Sequence, residues 1–295
     1  MTSILPVAIM SFDRPDYLEA VLQSVVRQTY SGPRELKYFL FQDGVVGRTD
    51  GKSYGQSTAV DECVKVFKAY FPQSEVHSAV YNLGVAANFD RAERYSFEYM
   101  KASAAIFLED DMILQPHYLS LISRMLDMAE EYQYIGMVSA YGASNDISLE
   151  DQCRLKGELC LMNEHNWAFA ITRACWEKRD LIVKEYLQIM DDIEYRDRKS
   201  VHPEIEAMLR RYGRGGKGYL SSQDSIKNMA CEVLGFHRVS TFTNNARYIG
   251  RKGLHMTTER FFQRGYHRTV LFPEDHGPFR VPSESELIAL RAKVA

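Results

Sequence analysis

The chain has 295 residues, 45% of them hydrophobic and 25% charged, with a formal net charge of −3. That length permits a substantial core in one large domain or two small ones, and the composition is ordinary for a soluble globular protein. The charge balance excludes bulk attraction to nucleic acid or anionic membrane, so any anionic ligand must be held by a local cluster.

The N-terminal stretch ILPVAIMSF is a short apolar run that predicts a first strand. It lacks the basic region and cleavage site of a signal peptide. RPDYLEAVLQSVVRQ follows, with Leu18, Val21, Leu22, Val25 and Val26 at helical spacing and Pro15 suited to the first turn. LKYFLFQDG predicts strand two, stopped at Asp43-Gly44, and residues 57–71 a helix. SEVHSAVY predicts strand three, NFDRAERYSFEYMKA a helix, and AAIFLEDD a fully buried strand four.

YIGMVSAYG and NWAFAITRACW read as further strands, and residues 174–190 and 203–213 as helices. RYGRGGKGYLSSQDS reads as a glycine-rich loop leading into a helix over 224–234, and residues 238–257 as mixed strand and loop. The tail beyond 265 reads as irregular, closing with the helical SESELIALRAKVA. No apolar run reaches the ~18 residues of a membrane-spanning helix. Strand–helix alternation predicts an α/β fold with a mainly parallel sheet. No clean linker interrupts it, so one continuous fold is expected, residues 1–111 forming a nucleotide-binding half and 112–295 an acceptor-binding half.

In parallel sheets ligands bind beyond the carboxyl ends of the strands. Arg14, Asp43 and Glu109-Asp110-Asp111 all fall there. Three adjacent acids at the end of so apolar a strand repel one another, so a cation is expected among them. Mg²⁺ or Mn²⁺ is commonly held by one or two carboxylates and a substrate's phosphates. Asp111 then reads as the direct ligand, with Glu109 and Asp110 aimed at ligand hydroxyls or metal-bound water. The plainer alternative is a solvated helix start. Arg14 suits a nucleobase carbonyl and Asp43 an imide N–H, against a helix cap and a turn. Asp224, at a loop–helix junction, reads as an N-cap or as a general base. Arg247, Arg251, Lys252 and His255, with two glycines, suit a diphosphate, His255 being a further candidate metal ligand. Trp167 reads as a sugar-stacking platform or a core residue. The odd set of five cysteines, without a C-x-x-C pair, reads as reduced thiols of a cytoplasmic protein.

PVAIMSFDRPDYLEAVLQSV, FQDG, IFLEDDMILQPHYL, SSQDS and IGRKGLHM, in this order, resemble the GT-A glycosyltransferases. The nearest likeness is to the N-acetylglucosaminyltransferase I family, with a looser one to the family-2 transferases. The resemblance implies a GT-A, Rossmann-like sheet and Asp111 as Mn²⁺ ligand in the Asp-x-Asp-equivalent site. It implies Arg14 and Asp43 at uracil-contacting positions, Asp224 as catalytic carboxylate, and 250–255 as a loop over the donor diphosphate. Two departures stand out: the family's membrane anchor is missing, and its catalytic acid sits in a Trp-Asp-Asp-Trp-like setting where this chain has Ser-Gln-Asp-Ser.

The expectation is an inverting, metal-dependent transferase moving a sugar from a UDP-sugar, UDP-GlcNAc being the family's suggestion, to a glycan or glycoconjugate hydroxyl in polysaccharide biosynthesis. A cytoplasmic location, peripheral to the inner face of the membrane, goes with it. A transferase that retains configuration and a non-catalytic nucleotide-sugar or glycan-binding protein of the same fold are alternatives, as is a sugar nucleotidyltransferase. The latter is expected to carry a glycine-rich phosphate loop after strand one, where this chain has SFDRPDYL.

Overall fold

The computed structural model describes residues 3–215, 222–253 and 256–294. Strand β1 (Ile4–Ser11) leads into helix α1 (Pro15–Val26), then β2 (Glu35–Gln42), α2 (Ser57–Tyr70), β3 (Glu75–Ser78) and α3 (Gly84–Arg94). A π-helical turn (Tyr95–Tyr99) separates α3 from β4 (Ala104–Glu109) and β5 (Met112–Leu114). Next come α4 (Tyr118–Glu131), β6 (Ile135–Ser139), α5 (Leu149–Arg154), β7 (Leu159–Leu161) and β8 (Phe169–Thr172). Helix α6 (Arg173–Ile189), a 3₁₀ segment (Tyr195–Val201), α7 (His202–Arg211) and α8 (Gln223–Val233) follow. The chain closes with β9 (His237–Thr241), β10 (Ala246–Tyr248), α9 (Thr258–Gln263), a 3₁₀ turn (Tyr266–Arg268) and α10 (Glu284–Val294).

Eight strands form one sheet in the order β3-β2-β1-β4-β8-β6-β9-β7. β8 and β7 run against the rest, giving a mixed, mainly parallel sheet flanked by helices. The α/β expectation holds. The expected strand at 166–176 is shorter, because its second half turns into α6 after the Thr172 hydroxyl accepts from the Cys175 N–H as an N-cap.

Side chains of β1 and β4 alternate between two apolar layers, as the period of a strand requires. Val7, Ile9, Ile106 and Leu108 join α1, α2 and α4 on one face. Ala8, Met10, Ala105 and Phe107 join Phe89, Phe97 and Trp176 on the other. Strand β4 is therefore covered on both faces and can carry polar groups only at its end.

The two-stranded ribbon of β5 and β10 positions the rest of the site. Tyr248 opposes Met112, Arg247 opposes Ile113, and the Ile249 N–H donates to the Asp111 carbonyl at 2.9 Å. A segment nearly 140 positions later is thus laid against the turn that carries the acids. No helix among the described residues is long and apolar enough to cross a membrane.

Phe107→Ala opens a cavity against Phe89 and Phe169, whose rings lie 6.2 and 5.3 Å away. Denaturant titration is expected to show a loss of about 3–5 kcal/mol. A loss below about 1 kcal/mol would contradict the double-layer core.

Candidate active site

Where β4 ends, the backbone turns at Asp110-Asp111 and both residues are buried, 3% and 5% exposed. The cation beside them is Arg14, from the loop between β1 and α1. Its guanidinium pairs with Asp110 and, at 2.8 Å, with Asp111 Oδ2, and donates to the Lys252 carbonyl at 3.3 Å. Burial opposes its charge, yet the two carboxylates hold Arg14 more firmly protonated than an ordinary arginine. Burial also pushes the Asp111 carboxyl up to about 6, with Arg14 working against the rise.

Glu109 accepts no hydrogen bond from a described residue. Burial, and then the charges of Asp111, Asp224 and Asp110, push its carboxyl well above the usual range. One guanidinium does not balance these acids. Gly250 lies against them: a Cβ there would come within 2.5 Å of Asp111 Oδ2 and collide with the Tyr248 hydroxyl. The 249–253 segment packs this closely because it has a glycine at that point.

Asp224 sits in the first turn of α8, behind the Ser222 cap, where the helix dipole favours negative charge. Its Oδ1 accepts from Gln223 Nε2 at 2.6 Å and from Asn166 Nδ2 at 3.3 Å. Arg238 Nη1 donates to Asn166 Oδ1 at 3.0 Å, which fixes the amide so that its NH₂ faces the acid. Oδ2 accepts nothing from the described residues. Burial raises the Asp224 carboxyl, while Lys227, His165, the Asn166 bond and Arg238 draw it back.

His165 and Trp167, flanking Asn166, border an open cleft of about 420 Å³ lined also by Tyr141, Asn145, Glu164 and Arg264. Trp167 has His165 stacked on one side at 4.2 Å and Tyr248 at 4.4 Å, each at 9°. With both neighbours parallel, its ring is structural, and it joins the cleft to the acids through Tyr248.

Of the residues singled out from sequence, Arg14, Glu109, Asp110, Asp111 and the backbone at Lys252 come together, with Asp224 close to Glu109. Arg251 is turned aside, its guanidinium over Phe261 and Phe262 at 5.4 and 5.6 Å. Lys252 is exposed at the rim. His255 lies outside the described residues, as does the glycine-rich stretch 216–221. Asp43 is put to a different use. Its Oδ1 accepts the N–H groups of Gly44 (2.9 Å) and Leu83 (2.8 Å), and its Oδ2 accepts Gly84 N–H (3.0 Å) and Asn82 Nδ2 (3.3 Å). It caps α3 from a distance, and burial still raises it to about 6 against those donors. Gly250 opens the segment expected over the diphosphate and does lie against Asp111; Asn166, Gln223 and Tyr248 carry no signal of their own in the sequence, though each neighbours a residue or motif that does.

Among the described residues no three His, Cys, Asp or Glu side chains are grouped so that they could hold a metal ion. The residue types still suit a hard divalent ion, since Asp111 and its neighbours offer carboxylate oxygens for one or two ligands while substrate oxygens supply the rest.

No protein-family model and no curated protein sequence matches the chain. Among solved structures it is similar to residues 1–349 of S. aureus TarS, with 10% identity and a TM-score of 0.45 over 81% of this chain and 58% of that one. It is also similar to the mannosyltransferase PcManGT of Pyrobaculum calidifontis in complex with GDP-Man and Mn²⁺, with 12% identity and a TM-score of 0.42 over 80% and 70%. A third is glucosyl-3-phosphoglycerate synthase of Mycobacterium tuberculosis with Mg²⁺ and UDP, with 13% identity and a TM-score of 0.38 over 60% and 58%. The match spans 30% of the longer TarS chain.

Asp43→Ala strands three backbone N–H groups and is expected to cost about 2 kcal/mol or more on denaturant titration. Unchanged stability with lost UDP affinity would instead make Asp43 a base contact.

Proposed function

We propose that the chain is a glycosyltransferase that uses a nucleotide sugar and transfers the glycosyl group to a hydroxyl of a glycan or glycoconjugate with inversion. One observation carries the reading: a buried, under-neutralised carboxylate cluster, a guanidinium, a close-packed glycine segment and a separately mounted carboxylate surround one corner at the carboxyl ends of β1 and β4. The motif order that resembles GT-A transferases supports a UDP-sugar, with UDP-GlcNAc the first donor to try.

Asp111 is the residue that would hold Mn²⁺ or Mg²⁺, which when bound neutralises charge on the departing diphosphate. Glu109 and Asp110 flank it toward the donor. Arg14 serves the diphosphate end of the donor and not its base, a role favoured by its contacts with Asp110, Asp111 and the Lys252 carbonyl. Arg251 and Lys252 belong to the same covering segment. The 249–253 segment is already packed on Asp111; with a donor bound Arg251 would swing from Phe261 and Phe262 toward the diphosphate, and the segment would cover it and exclude water.

Asp224 takes the proton from the acceptor hydroxyl through Oδ2, while Gln223 and Asn166 hold Oδ1 and orient the carboxylate. The acceptor enters by the cleft beside His165. A non-catalytic binding protein has no use for a carboxylate oriented by two amides with its second oxygen unbonded by the described residues, which favours the enzyme.

Asp224→Asn is expected to lower kcat about 10²–10⁴-fold while leaving UDP-sugar affinity intact. The base works only when ionised and burial raises its carboxyl above 3.8, so activity should rise with pH through a midpoint above that value. A pH–rate profile of UDP release checks both. Full turnover in Asp224→Asn would remove the assignment.

A further inference from the structure

Beneath the candidate site lies a set of charges for which the proposed reaction has no direct use. Glu93 of α3, Arg179 of α6 and Lys227 of α8 are 2%, 0% and 2% exposed. Lys227 Nζ lies 2.7 Å from Glu93 Oε1, and Arg179 Nη2 lies 2.7 Å from Glu93 Oε2. The ring of Phe89 lies 4.7 Å from the ammonium. Against the cost of burial, Arg179 and Lys227 pull the Glu93 carboxyl down to about 2.

Buried ion pairs are expensive, and well-packed apolar side chains of similar volume often serve stability as well or better. This set has a further peculiarity. It contains two cations and one anion, leaving one positive charge in the interior. Beside Arg179 lies the Cys231 thiol of α8, drawn down to about 7 first by its hydrogen bond with Cys175 and then, against burial, by the arginine, and Asp90 of α3, which also faces Lys227, is paired with Arg94. The carboxylate on α8 that faces Lys227 is Asp224, three residues before it and so on the same face of the helix.

Other groups also face Asp224: Glu109 from β4, His165 and Asn166 from the segment before β8, Arg238 from β9, Tyr186 from α6 and Tyr195 from the 3₁₀ segment. Arg238 is committed to Asn166, and burial holds His165 toward its neutral form. Lys227, fixed by Glu93 and Phe89, is the cation whose place does not depend on ligand or solvent.

We propose that Lys227 is a positioning residue for Asp224: its ammonium, anchored by Glu93, supplies the buried counter-charge that keeps the carboxylate ionised and ready to accept a proton. Arg179 holds the second oxygen of Glu93, so Glu93 does not fully neutralise Lys227. This inference rests on the reading of Asp224 as the base.

The test titrates Asp224 directly, without turnover. Protein labelled with ¹³C at aspartate carboxyls is followed by NMR across pH, and the Asp224 signal is identified by its loss in Asp224→Asn. In Lys227→Gln, which keeps a hydrogen-bond donor for Glu93, the midpoint is expected to move up by about one pH unit or more. In Lys227→Arg it should stay near the wild-type value. The acidic limb of kcat/KM should move with the midpoint, leaving donor KM unchanged. If the amide is not tolerated, Lys227→Met keeps the aliphatic stem and makes the same prediction. An unchanged midpoint with only a lower melting temperature would overturn the inference and leave a structural ion pair. Wild-type turnover in Asp224→Asn would overturn the base reading separately, whatever the titration shows.

Discussion

The constraint on which the structure turns is the burial of like charge. Glu109, Asp110, Asp111 and Asp224 share one corner of the protein, and the two central acids are almost fully covered. Two unit charges ~4 Å apart interact by about 4 kcal/mol at an effective dielectric constant near 20. Several unrelieved pairs would therefore rival the whole stability of a domain, about 5–15 kcal/mol. The fold relieves them from two sides. Arg14 meets Asp110 and Asp111, and Lys227, one turn further along α8, faces Asp224. Glu109 accepts no side-chain hydrogen bond from the described residues, so the acids remain under-neutralised beside Asp111.

The surrounding architecture follows from holding these groups still. β4 is packed on both faces, so its end is a rigid mount. The β5–β10 ribbon delivers Gly250 against Asp111, and the stack of His165, Trp167 and Tyr248 ties that ribbon to the wall beside Asp224. Arg14 joins the first loop of the chain to the carbonyl of Lys252 as well as to the acids. A ligand that competes for Arg14 would act at once on the acids and on the segment above them.

Much of this was legible in the sequence because periodicity and charge placement are local signals. The apolar spacing of α1 and the unbroken run of β4 ending in three acids have plain physical meanings, and both elements lie where they were expected. The need for a cation at the triplet was also legible. That Arg14 meets it was not, since the contact spans 96 positions. Helix α4 went unpredicted because ten of its fourteen residues are buried, leaving only a narrow polar stripe. The role of Asp43 was hidden for a related reason: the N–H groups it serves belong to the start of α3, some 40 positions away. The sequence allows Trp167 as a ligand platform or a core residue, and only the parallel rings of His165 and Tyr248 decide between them.

The central claim is that the acids, Arg14 and the 249–253 segment form a site for a metal-bound nucleoside diphosphate. Isothermal titration of the purified protein with UDP, with and without Mn²⁺, tests it most directly, beside the same titration of Asp111→Ala. The account predicts UDP binding that needs the metal and is lost in the variant. No UDP binding under either condition, or binding indifferent to both the metal and Asp111, would contradict it.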